Sequence, residues 1–89
     1  MFSGDGIRSI RERLGLTQEQ LARLLGVHPL TVSKWERGLL QPTAHQEELL
    51  RSFRVASRDE EASEQIRKAL AAAGTILALY LLLKAALKK

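Results

Sequence analysis

An all-α fold of four to five helices, the last of them long, is predicted by three features of this 89-residue sequence. Apolar residues recur three and four apart along most of the chain, which is the period of one helix face. Glycines and prolines open or close each such stretch. No sustained apolar–polar alternation and no hairpin signal appears.

The first helix can be capped by Ser3 or Asp5 and runs to about Leu14, with Ile7, Ile10 and Leu14 on one face. Gly15 stops it, as a residue that tolerates positive φ. Thr17 opens the second helix, and Thr17 with Gln20 has capping-box spacing. Leu21, Leu24 and Leu25 form its buried stripe, Ala22 allows close packing, and Gly26 breaks it. Pro29 starts the third helix, because a missing N–H costs nothing at the first helical position. Val32 and Trp35, three apart, face inward, and Gly38 ends the helix. Trp35 is expected in the core. Pro42 marks the next loop. Thr43 and Gln46 repeat the capping-box spacing ahead of a fourth helix whose apolar face is Leu49, Leu50 and Phe53.

Composition changes near Ser57. From Asp59 to about Leu87 the chain reads as one helix of about 29 residues, or roughly 44 Å. Asp59, Glu60 and Glu61 open it, and Lys84, Lys88 and Lys89 lie near its end, a polarity that complements the helix dipole. Residues 1–56 are therefore expected to form one domain and residues 57–89 a long apolar helix. Ile66, Ala73, Tyr80 and Leu87 recur every seven residues, Ala69, Ile76 and Leu83 form a second row, and Leu70 and Leu77 lie beside them. Such an apolar face is wider than the seam of a two-stranded coiled coil. The expectation is self-association into a dimer or larger homo-oligomer through Ile66, Leu70, Ala73, Ile76, Leu77, Tyr80, Leu83 and Leu87. Two alternatives stay open. The helix can dock on its own domain, or insert in a membrane. The uncharged run Ala69–Leu83 falls short of the about 20 apolar residues of a span.

The run Thr17 to Gly38 has two short helices joined by a glycine-containing turn, the pattern of a helix-turn-helix. Thr17-Gln18, Leu21-Ala22, Gly26-Val27, Thr31-Val32-Ser33, Trp35-Glu36-Arg37-Gly38 and Pro42 together resemble the Xre/Cro family, whose fold the phage repressors share. The resemblance covers about half the chain, from Ile7 to about Arg54. It implies a lambda repressor-like helix-turn-helix domain that binds double-stranded DNA sequence-specifically as a transcriptional regulator, with a repressor expected. The third helix would lie in the major groove. The family's base-reading positions fall on Pro29, Leu30, Ser33 and Lys34. Lys34 can donate to guanine O6 or N7, and Leu30 can touch a thymine methyl. Pro29 departs from members with Gln or Arg there, so part of any specificity is expected from DNA shape. The resemblance places Gln18, His28 and Arg37 at phosphates, contacts that fix register without reading sequence. It also implies a structural ion pair between Arg11 and Glu36.

Charge is consistent with this expectation. Fourteen Lys and Arg face ten Asp and Glu, a net +4. The absence of cysteine excludes disulfides, thiolate metal sites and thiol nucleophiles. His28 and His45 have no metal-ligand spacing, and no phosphate loop or activated serine signature occurs. The sequence implies neither an enzyme nor a cofactor. The polar, glycine-rich start carries no secretory signal, and the cytoplasm is the expected compartment. The alternative function is a membrane-tethered or scaffold protein that uses its helix-turn-helix as a protein-interaction module.

Overall fold

The computed structural model describes residues 2–72, which form five helices. They are α1 (Gly4–Arg13), α2 (Gln18–Leu25), α3 (Pro29–Glu36), α4 (Ala44–Arg58) and α5 (Glu60–Ala72). There is no strand among the described residues.

Local polar residues set the helix starts. Ser3 caps α1 by accepting from the Gly6 N–H at 3.0 Å. Asp5, the other candidate, sits within the first turn, where its charge complements the dipole. Both capping boxes form. Thr17 and Gln20 satisfy each other's backbone N–H at 3.0 and 2.9 Å, and Thr43 and Gln46 do so at 3.2 and 2.8 Å. Gly26 closes α2 in the left-handed region, at φ 71°, a conformation that costs glycine little.

The helices enclose one apolar core. Ile7, Ile10 and Leu14 from α1 meet Leu21 and Leu25 from α2, Val32 and Trp35 from α3, and Leu50 and Phe53 from α4. Trp35 is buried as expected, although its Nε1–H has no acceptor among the described residues. α3 packs on α2 and α1, while α4 packs on α1 and α5. Two core residues escape the periodic reading. Phe2 and Leu16 are buried, although both stand in short non-helical stretches. Gly4 explains how closely α1 approaches α3. A Cβ there would lie 2.7 Å from the Trp35 carbonyl oxygen.

α5 requires a correction. Ile66, expected on a seam between copies, is fully buried in the chain's own core, and Leu70 packs half-buried against that core. The reason is the connection. Asp59 alone separates α4 from α5, so α5 folds back instead of running on. Asp59 accepts from the Ala62 N–H through its side chain and from the Ser63 N–H through its carbonyl. The buried Ser63 hydroxyl donates to the Ala56 carbonyl at 2.9 Å. Arg67 reaches α1, donating to the Arg13 carbonyl at 2.6 Å. A heptad row marks an apolar face without specifying what covers it. The boundary expected after Ala56 falls inside α4, and the described residues make one packed unit. Ala73, Ile76, Leu77, Tyr80, Leu83 and Leu87 lie outside the described residues.

Ile66→Ala should therefore destabilise the protein by about 2–5 kcal/mol, the cost of a large-to-small change in a packed core. Urea denaturation at low protein concentration measures this. An unchanged midpoint would place Ile66 outside the monomer's core.

Candidate nucleic-acid interface

The third helix owes its placement to a buried carboxylate. Glu36, in the last turn of α3, is 5% exposed and carries a charge that water no longer solvates. Arg11 of α1 grips it at both oxygens, from Nε at 2.7 Å and from Nη2 at 3.1 Å. Arg8, one turn earlier on α1, donates from Nε at 3.3 Å. Gln18, the first residue of α2, donates from Nε2 at 3.1 Å. Arg11 also donates to the Leu16 carbonyl at 3.0 Å, which fixes the α1–α2 turn. One carboxylate thus joins three helices. Burial pushes the Glu36 carboxyl up, but the hydrogen bonds from Arg11, Gln18 and Arg8 and the charge of Arg11 outweigh it and hold it below the ordinary value. The same hydrogen bond raises Arg11 above its ordinary value.

The Arg11–Glu36 pair implied by the family resemblance is therefore present, and larger than expected. Arg8 and Gln18 complete it. The i, i+3 spacing of Arg8 and Arg11 places both on one helix face and was the available signal. Gln18 is anchored inside the cluster while its backbone stands in the first turn of α2, where N–H groups lack intrahelical partners.

The outer face of α3 carries the four expected reading positions together. Pro29 is the first helical residue and is exposed. Leu30 is 50% exposed. Ser33 is half-buried, and Lys34 is exposed with no salt bridge among the described residues. Val32 and Trp35 occupy the opposite face, as the helical period requires. His28 has a function the sequence did not signal. Its Nδ1 accepts from the Leu30 N–H at 3.0 Å and caps α3. When neutral, His28 then carries its proton on Nε2, which remains a donor. Arg37, the C-cap of α3, donates from Nε to the Ser33 carbonyl at 3.3 Å and is otherwise exposed. Beyond α3, Leu39 and Leu40 are exposed at 64% and 45%.

Among the described residues no group of His, Cys, Asp or Glu is arranged to hold a metal. No helix among them is long and apolar enough to cross a membrane.

A family model described as helix-turn-helix matches residues 7–49. That span includes most of α1, all of α2 and α3, and the Glu36 cluster. No curated protein and no solved structure matches the chain significantly.

The Glu36 charge should leave a signature in acid. A carboxyl whose folded pKa is depressed contributes stability in full above its unfolded value and loses it as pH falls through the folded one. Stability should fall on acidification below the ordinary glutamate range, and Glu36→Gln should flatten that acid limb. Urea midpoints measured from neutral to acidic pH test this. Parallel curves for both proteins would assign the acid limb to other carboxylates.

Proposed function

The chain belongs to the Xre/lambda-repressor-like helix-turn-helix family of DNA-binding transcription regulators, and from that premise we propose that it is a sequence-specific repressor that self-associates. The observation that carries the reading is the outer face of α3. Pro29, Leu30, Ser33 and Lys34 share it, and the Glu36 cluster fixes its orientation on α1 and α2.

In this reading α3 enters the major groove, and its reading positions meet base edges. Lys34 donates to guanine, the Ser33 hydroxyl bonds to a donor or an acceptor on a base edge, and Leu30 packs on a thymine methyl. Pro29 offers no donor and contributes shape. Gln18, His28 and Arg37 contact phosphates. His28 uses its Nε2–H, and Gln18 stands where the positive end of α2 favours an anion. A dimer would present two copies of α3 to half-sites about one DNA turn apart. The segment left to mediate association is residues 73–89, since Ile66 is committed to the core. The compartment that suits such a regulator is the cytoplasm.

One observation favours a second reading. Leu30, Leu39 and Leu40 give the α3 side three exposed leucines, and apolar patches on a surface mark contacts with other macromolecules. A helix-turn-helix used as a protein-interaction module, in a scaffold or membrane-tethered protein, would use them.

Salt dependence separates the two. DNA binding through phosphates weakens linearly in logarithmic plots as salt rises. Lys34→Ala should reduce specific binding by about 1–3 kcal/mol and relax discrimination at one base position. Selected-site binding assays on both proteins read this, and unchanged discrimination would remove Lys34 from the reading set. For self-association, light scattering on the full chain without detergent should give a discrete dimer or larger species. A monomer at high micromolar concentration would refute it, and aggregate resolved by detergent would favour the membrane-tethered reading.

A further inference from the structure

A cleft of about 380 Å³ opens between α1 and the C-terminal part of α4. None of its lining residues comes from α2 or α3, so it is separate from the DNA-reading face. Its volume lies within the range of small-molecule sites. Phe2, Ile10 and Ser57 are buried and form its floor. Arg13, Arg54 and Arg58 supply its charge.

Those three arginines form no salt bridge among the described residues, while Arg8, Arg11, Arg23, Arg51 and Arg67 all do. Arg37, beside the proposed DNA-reading face, is the other arginine without a salt bridge among the described residues. Residues 73–89 contain no Asp or Glu whose side chain could neutralise them. Arg54 is also held in place. Its guanidinium carbon lies 4.8 Å from the centre of the Phe2 ring, a cation–π arrangement that restrains the plane and leaves its N–H edges available. A guanidinium edge presents paired donors that match carboxylate and phosphate oxygens.

We propose that this cleft binds a small organic anion, a carboxylate or phosphate carried on an apolar body. The apolar body rests on Phe2 and Ile10, and the anionic group meets Arg13, Arg54 and Arg58. Its cationic rim selects against neutral ligands.

Amide NMR of the full chain, titrated with phenyl phosphate and separately with inorganic phosphate, tests this. Phenyl phosphate should give saturable shifts at Gly6, Ser9 and Ser57 and bind more tightly than inorganic phosphate, because only the former covers the apolar floor. Arg54→Gln should weaken phenyl phosphate binding about tenfold, the usual scale for one charge-assisted hydrogen bond. Ser9→Glu, an exposed position on the cleft wall, should weaken it comparably by adding a negative charge, and keeps the test decisive if Arg54→Gln unfolds. Both variants should retain wild-type DNA affinity. Shifts that map to α3 and the start of α2, equal binding of the two phosphates, or no effect of Ser9→Glu would each overturn the proposal.

Discussion

The hydrogen bonds converging on Glu36 hold α3 to its scaffold. α3 has only eight residues and few apolar ones turned inward, Val32 and Trp35 chief among them. Packing those two side chains leaves rotation about the α3 axis weakly determined. A buried carboxylate gripped by Arg11 from α1 and Gln18 from α2 fixes that rotation. Hydrogen bonds are directional where apolar contacts are not. A buried ion pair contributes little net stability, since desolvation offsets much of the attraction, yet removing one partner strands the other charge. Its worth here is geometric. The face that carries Pro29, Leu30, Ser33 and Lys34 is aimed by charge and supported by the core.

The same logic explains Gly4. Its missing side chain lets the start of α1 lie against the carbonyls that end α3. The backbone of α1 and the arginines of its later turns therefore bracket one end of α3, which sets both the distance and the angle between the two helices.

Much of this was legible in the sequence because the signals are local. Thr17 with Gln20 and Thr43 with Gln46 announce their caps through spacing alone, and Gly26 and Pro29 bound the turn. The exposed face of α3 follows from the positions of Val32 and Trp35, which must point the other way. Arg11 and Glu36 were identifiable only through family resemblance, being 25 residues apart. Arg8 and Gln18 were not assigned to the cluster, because a spacing on one helix does not say which carboxylate lies opposite. Phe2 stands alone in a polar stretch and has no period to betray it. His28 is an unusual cap. Ile66 was misassigned for a different reason. Its heptad row is real, but the single-residue link at Asp59 turns that row inward. The arginine cleft joins residues 2–13 to residues 54–58, so no short window of sequence contains it.

Pro29, Leu30 and Lys34 stand outside the core, while Trp35, Val32 and Glu36 carry the attachment of the same helix. The side chains that attach the helix and those left exposed thus lie on opposite sides of one eight-residue element. Surface substitutions away from such attachments usually change stability by about half a kilocalorie per mole or less. The exposed side of α3 can therefore change by substitution without passing through poorly folded intermediates. The outward side is an interchangeable surface on a permanent mount.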